Sequence, residues 1–215
     1  MDRFDERATS QPVAPEGDFA HIQRHFDARV NATVAILHPG DYYIGASGEL
    51  LGTLLGSCVA ACIRDARLRI GGMNHFMLPS HQGEGSAAAF TGSAWPATRF
   101  GDIAMDALVQ AILQRGGRSS DLEVKLVGGG KVLDALSDVG ARNIRFARAY
   151  VQSSGLRLLG EDLGDRYPRK VLYDPASGAV RVKRLPRSGQ YQLAEEVRYL
   201  RAPGRGSDGG EIESF

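Results

Sequence analysis

Short apolar runs separated by turn residues dominate this chain, and two longer amphipathic stretches lie among them. Apolar runs of about four to eight residues between Gly, Pro and Asp are typical of strands, whereas apolar residues repeating every three or four positions indicate helices. The sequence predicts strands at residues 33–37, 50–55, 58–64, 70–78, 122–127, 156–159, 170–173 and 179–185. It predicts helices at residues 98–115 and 143–153, and a shorter one around residues 132–136.

This order of elements indicates a layered α/β domain. Strands cluster early and late, so the simple βαβ alternation of a parallel Rossmann sheet is absent. We therefore expect a sandwich of mixed β-sheets with flanking helices over residues 31–187. Residues 1–30 and 188–215 are polar and lack a period, which predicts a flexible N-terminal arm and a disordered C-terminal tail.

Composition narrows the function classes. Among the 215 residues, 26 Lys and Arg stand against 25 Asp and Glu, a net charge of +1 without a basic stripe, which argues against nucleic acid as a partner. No apolar stretch approaches the roughly 20 residues of a membrane helix, so we expect no membrane insertion. With two cysteines and no signal-like start, we expect a cytoplasmic protein whose thiols stay reduced.

A cysteine and a histidine lie in neighbouring predicted strands, residues 58–64 and 70–78. If the strands form a hairpin with a tight turn centred between Ala66 and Arg67, Cys58 lies directly opposite His75. Opposed Cβ atoms of antiparallel strands are about 4.5–5.5 Å apart and on one face. A slip of one residue would send one side chain to the other face, so this prediction depends on the register.

A thiol beside an imidazole can act as a nucleophile, because the imidazole takes its proton or lowers its pKa. The bend at Gly56 and Ser57 allows backbone N–H groups to face a developing oxyanion. Such a site performs acyl transfer on an amide, ester or thioester. The alternative is that Cys58 is a small buried apolar residue, which is the commoner fate of a cysteine in an apolar run.

Other motifs receive less weight. Cys62 falls on the same strand face as Cys58, where core packing is favoured over a redox role. A metal site from Cys58, Cys62, His75 and His81 matches no usual zinc spacing, so no metal is predicted. The glycines at residues 128–130 do not fit a Walker A motif and instead predict a tight strand-to-helix turn that lines the site with backbone.

Five segments together resemble, in order, the CheD family of chemoreceptor glutamine deamidases: residues 55–62 (LGSCVAAC), 71–79 (GGMNHFMLP), 127–130 (VGGG), 140–143 (GARN) and 160–164 (GEDLG). The resemblance spans about residues 35–185. It implies a layered cysteine-hydrolase fold, Cys58 as nucleophile, His75 as base, and no cofactor. The implied substrates are glutamines on the helical cytoplasmic bundles of chemotaxis receptors, with a CheC-type phosphatase as a partner in some bacteria.

One feature departs from a member of this family in which a threonine lies six residues before the cysteine. Here that position is Gly52, and Thr53 lies five residues before. Strand alternation would turn Thr53 to the opposite face unless the bend before Cys58 resets the register, and Thr53 is a candidate to orient His75. The predicted substrate-binding residues flank the catalytic pair: Gly56, Ser57 and Asn74.

Two other classes of function remain open. A catalytically weak module that docks onto receptors or a phosphatase would have an unreactive Cys58. A thiol redox protein would turn over peroxide or disulfide and would need Cys62.

Overall fold

The computed structural model describes residues 19–78, 101–132 and 139–186. The strands of this part are β1 (Gln23–Asp27), β2 (Ala32–Ile36), β3 (Tyr42–Ile44), β4 (Leu50–Leu55), β5 (Val59–Asp65), β6 (Ile70–Asn74), β7 (Leu122–Gly128), β8 (Arg157–Leu163), β9 (Arg169–Tyr173) and β10 (Val180–Arg184). The helices are α1 (Gly101–Leu113) and α2 (Val139–Ser153), and a 3-10 turn covers Ser119–Asp121. None of these helices is long and apolar enough to cross a membrane.

The ten strands form two mixed sheets of five. The first has the order β1-β2-β4-β9-β10, with β2 and β4 parallel and the other pairs antiparallel. The second has the order β3-β6-β5-β7-β8, with β7 and β8 parallel and connected through α2. The predicted layered α/β sandwich of mixed sheets with flanking helices is confirmed.

Side chains of β5 alternate between two cores. Ala60 and Cys62 belong to the apolar cluster between the two sheets, which also contains Leu51 and Leu55 of β4. Val59, Ala61 and Ile63 belong to the cluster between the second sheet and the two helices. Because successive strand residues face opposite sides, β5 is buried on both faces. The layers therefore run from the first sheet to the second sheet to the helices.

The N-terminal boundary of the domain differs from the prediction. Strand β1 lies within the segment predicted as an arm, and it pairs with β2 from Gln23 opposite Ile36 to Asp27 opposite Ala32. As a polar edge strand with one core-facing end, it has no apolar run to reveal it. β3 was also missed because it has three residues. Residues 1–18 of the predicted arm, the tail and most of the predicted helix at 132–136 lie outside the described residues.

The hairpin of β5 and β6 forms, but its register differs by two residues from the prediction. Cys62 pairs with Met73, and beyond the end of β6 an isolated bridge joins Val59 to Phe76. His75 thus falls opposite Ala60, and Cys58 falls opposite Met77. The turn is longer than predicted, with Arg69 at φ 57° and the Asp65 carboxylate accepting the Leu68 N–H. A shift of two keeps every side chain on its face.

Candidate active site

Thr53 and His75 meet in the space between the two sheets. Thr53 lies on the central strand β4 of the first sheet, and His75 follows β6 of the second. Thr53 Oγ1 lies 2.8 Å from His75 Nδ1. The expectation that strand alternation would turn Thr53 away does not apply, because the chain changes sheets at Gly56 and Ser57.

The contacts of the Thr53 hydroxyl determine which imidazole nitrogen carries a proton. Thr53 Oγ1 donates to the Leu37 carbonyl oxygen at 2.8 Å, and this uses its single hydrogen. Because the hydroxyl has no second hydrogen, the contact between Thr53 Oγ1 and His75 Nδ1 is a hydrogen bond only when Nδ1 carries a proton and donates it to Oγ1. The other nitrogen, Nε2, retains a lone pair, and within the described part of the chain it has no hydrogen-bond partner. The imidazole is thus arranged as a base at Nε2.

The imidazole is also held neutral. Burial, together with a smaller contribution from the charge of His38, lowers the pKa of His75 to about 3, although a hydrogen bond to the Leu37 carbonyl acts in the opposite direction. The side chain is 2% exposed. Its backbone is fixed as well, because its N–H donates to the Asp41 carbonyl and its carbonyl accepts the Gly40 N–H.

Cys58 immediately precedes β5 and belongs to the same inter-sheet cluster as Ala60 and Cys62. In the observed register it is the diagonal neighbour of His75 on one face of the hairpin. Diagonal Cβ atoms in an antiparallel pair are about 7–8 Å apart or somewhat closer, which is within reach of long side chains. The structure therefore brings Cys58, His75 and Thr53 to the same inter-sheet space. Cys58 is 1% exposed.

Hydrogen bonds from two backbone N–H groups and one side-chain amide hold the segment around Cys58 in place. Three consecutive carbonyl oxygens accept hydrogen bonds: that of Gly56 from the Gly130 N–H at 2.8 Å, that of Ser57 from Asn143 Nδ2 at 2.8 Å, and that of Cys58 from the Gly129 N–H at 2.7 Å. The glycine run thus lies against the Cys58 segment and lines it with backbone donors, whereas residues 133–138, which lead into α2, lie outside the described residues.

Gly128 shows why this turn needs glycine. It has a φ of 116°, and a Cβ there would lie 2.3 Å from the Cys58 carbonyl oxygen. No side chain fits so close an approach, so the absence of one allows the turn and the nucleophile segment to share hydrogen bonds.

The predicted substrate-binding residues have different fates. Gly56 and Ser57 lie beside Cys58, and the Ser57 hydroxyl contacts the Met77 sulfur at 3.9 Å. Asn74 is not brought to this group. Its amide accepts the Ala61 N–H at 2.8 Å and donates to the Ala104 carbonyl of α1 at 3.0 Å. Since it precedes His75 on the hairpin, it faces the helices.

Cys62 has no feature of a reactive thiol. It is 2% exposed, and burial raises its pKa well above the ordinary value, so it stays protonated. His81 lies outside the described residues. In the described segments, no group of three or more His, Cys, Asp or Glu side chains is placed to hold a metal ion.

Asn143 is the residue of this site that the sequence reasoning missed. It lies in the GARN segment of α2, and its fully buried amide donates to the Ser57 carbonyl beside Cys58. That segment carried part of the family resemblance, but nothing in its local pattern linked it to residues so far away in the chain.

Comparisons with known proteins identify the family of this chain. The family described as CheD chemotactic sensory transduction matches residues 77–184. A relative from Halorhodospira halophila, named probable chemoreceptor glutamine deamidase CheD, is 44% identical over an alignment of 218 positions that covers 99% of this chain and 98% of the relative. Relatives with the same name come from Hydrogenovibrio crunogenus (40% identical, 90% and 100% covered) and Hahella chejuensis (42% identical, 78% and 77% covered).

Proposed function

Because this chain belongs to the CheD family, we propose that it is a protein-glutamine deamidase that converts glutamine side chains of chemotaxis receptors to glutamate. The observation that carries the proposal is the Thr53–His75 hydrogen bond, which leaves Nε2 as a base on the face that Cys58 shares. An oriented imidazole on the face of a thiol is the arrangement that cysteine-dependent acyl transfer requires.

The first half-reaction forms a thioester. Nε2 of His75 takes the Cys58 proton, and the thiolate attacks the carbon of the glutamine carboxamide. Backbone N–H groups near Ser57 and Cys58 stabilise the oxyanion. The imidazolium then returns its proton to the departing nitrogen, and the C–N bond breaks to release ammonia.

The second half-reaction restores the enzyme. Neutral His75 removes a proton from a water molecule, which attacks the thioester carbon. The C–S bond breaks, the sulfur leaves as a thiol with the proton from the imidazole, and glutamate remains on the receptor. The residues named here suffice for both steps, so the mechanism invokes no cofactor.

Burial of the site adds one requirement. Cys58 and His75 are 1% and 2% exposed, so a glutamine side chain reaches the sulfur only when neighbouring groups move. Docking of a receptor would supply the energy for this opening. We place this event in the cytoplasm, on the helical bundle of a receptor, where a CheC-type phosphatase would be a second partner.

The same burial favours one competing function, a docking module whose Cys58 is inert. Incubation with a receptor cytoplasmic fragment followed by mass measurement separates the two. The deamidase adds about 1 Da at each modified glutamine, because OH replaces NH₂. Cys58→Ala should leave the fragment unmodified, whereas Cys62→Ala is the matched control and should still modify it. Modification of the fragment by Cys58→Ala would refute the cysteine mechanism.

A further inference from the structure

Asn143 of α2 links the two strand ends that carry Cys58 and His75. Its Nδ2 donates to the Ser57 carbonyl at 2.8 Å, and its Oδ1 accepts the Leu78 N–H at 2.9 Å. Ser57 directly precedes Cys58, and Leu78 follows His75 by three residues. The Asn143 side chain is fully buried, so no water competes for these hydrogen bonds.

A regular ladder would join the same two residues directly. Val59 and Phe76 exchange both backbone hydrogen bonds, at 3.0 and 2.9 Å. In an antiparallel pair such an exchange recurs at every second residue, so the next one falls on Ser57 and Leu78. At that position the Leu78 N–H and the Ser57 carbonyl both bind the Asn143 amide instead.

The inserted amide changes the spacing of the strands. A direct bond would hold the Leu78 nitrogen and the Ser57 oxygen about 2.9 Å apart, but here a whole carboxamide and two hydrogen bonds lie between them. The strands must therefore diverge beyond the Val59–Phe76 bridge. Cys58 lies on the diverging part of its strand.

The inserted amide also orients the peptide of the nucleophile. The Ser57–Cys58 peptide is trans, so its carbonyl and its N–H point in opposite directions. The hydrogen bond from Asn143 to the Ser57 carbonyl therefore determines the direction of the Cys58 N–H. This N–H is one of the groups assigned above to the oxyanion.

We propose that Asn143 is a positioning residue for the deamidation: its amide replaces one direct ladder hydrogen bond, and so sets the spacing of the strand ends and the orientation of the Cys58 N–H. This inference rests on the function proposed above. Asn143 touches neither the sulfur nor the substrate in this scheme and acts through the backbone of Ser57 and Leu78.

Asn74 offers a matched control. It is also fully buried, it also accepts one backbone N–H and donates to one backbone carbonyl, and it lies in the same hairpin. Its amide faces α1 instead of the site. Replacing either asparagine by alanine removes the same chemical groups, but only the change at Asn143 releases the Ser57–Cys58 peptide.

The test is steady-state deamidation of a receptor fragment by wild type, Asn143→Ala and Asn74→Ala, with the melting temperature of each protein. A misplaced catalytic group costs about 10²-fold in rate. We expect Asn143→Ala to lose about that factor in kcat with KM within about threefold. Asn74→Ala should lose a similar number of degrees in Tm but less than about tenfold in kcat.

If Asn143→Ala does not fold, Asn143→Asp is tested in its place, and the same changes in kcat and KM are expected. This variant keeps an acceptor for the Leu78 N–H and loses the donor to the Ser57 carbonyl. The inference would be overturned if the kcat of the Asn143 variant were no lower than that of Asn74→Ala, or if the Asn143 substitution changed only KM. A wild-type protein that leaves the fragment unmodified would instead refute the proposed function.

Discussion

The two cysteines of this chain lie four residues apart on the same face of one strand, and their surroundings differ at every other level. Cys62 is paired on both sides, with Met73 at the end of the β5–β6 ladder and with Lys125 of β7. Cys58 lies beyond the isolated Val59–Phe76 bridge, against the glycine run and the Asn143 amide. Both side chains are almost fully buried. Burial and strand face therefore do not distinguish the proposed nucleophile from a core residue, whereas the contacts with the glycine run and with Asn143 are found only at the Cys58 end.

Among these substitutions, removal of the proposed base, His75, should have the largest effect on the deamidation rate. In His75→Asn, a shorter amide keeps a donor near Thr53 but removes Nε2. Loss of general acid–base catalysis costs about 10²–10⁴-fold, so we expect kcat for receptor deamidation to fall by that factor. His25→Asn, at an exposed histidine of β1, is the control. Wild-type turnover by His75→Asn would mean that the histidine is structural.

The glycine turn should come next. Ala at position 128 would place a Cβ 2.3 Å from the Cys58 carbonyl oxygen. We expect Gly128→Ala to lose about 1–3 kcal/mol more unfolding free energy than a control substitution at a glycine that also has a positive φ but has no close neighbours. This is the usual cost of overpacking. Gly155→Ala is that control, since Gly155 has φ 64° and open space around it. Equal urea midpoints for the two variants would show that the turn tolerates a side chain.

The pH dependence of the unfolding free energy should reflect the low pKa of the buried His75 imidazole. The pKa of His75 is about 3 in the folded protein and near 6.5 in the unfolded chain, so the unfolded chain binds a proton first as the pH falls. The stability gained from neutral His75 is full above pH 6.5 and is lost toward pH 3. Between pH 6.5 and 4.5, wild type should lose roughly 2 kcal/mol more than His75→Asn in urea unfolding. Parallel curves would contradict the low pKa.

Removing the Thr53 hydroxyl should have a smaller effect on the rate. Thr53→Val keeps the shape of the side chain and loses the contacts with His75 and Leu37. One hydrogen bond is worth about 1.4 kcal/mol, which corresponds to about a tenfold lower kcat. Thr53→Ser keeps the hydroxyl and should stay near wild type. If the Val and Ser variants are equally active, Thr53 does not orient the imidazole.

The smallest effect belongs to the Cys62 end. Cys62→Ala removes one buried sulfur from the inter-sheet core, and we expect a loss of about 1 kcal/mol in unfolding free energy with kcat within about twofold of wild type. Thermal unfolding measures the change in stability, and the deamidation assay measures kcat. A large loss of activity with an intact fold would assign Cys62 a redox or catalytic role.

Local pattern predicted much of this fold. The apolar runs at β4 and β5 and the amphipathic period of α1 identified elements whose bounds the structure moves by only a few residues. β1 escaped because its residues, QRHFD, are mostly exposed at a sheet edge. The hairpin register was wrong by two residues because the turn length depends on Asp65 and Arg69, but the even shift preserved the shared face of Cys58 and His75.

The contacts that the sequence did not predict join residues that lie far apart along the chain. Thr53 reaches His75 because β4 and β5 belong to different sheets, and no strand-alternation argument includes that change. Asn143 is 86 residues away from the carbonyl it binds. Asn74 was assigned to the site because it neighbours His75, although neighbours on a strand face opposite sides. Pairings between elements require the assembled sandwich.

The most direct test uses the two cysteines as probes within one molecule. Native protein is treated with iodoacetamide for increasing times, each thiol is quantified by peptide mass, and the remaining deamidation activity is measured. The expected result is that Cys58 is alkylated at least about tenfold faster than Cys62 and that activity falls in proportion to Cys58 alkylation. Equal alkylation rates, or full activity in protein whose Cys58 is completely alkylated, would contradict it.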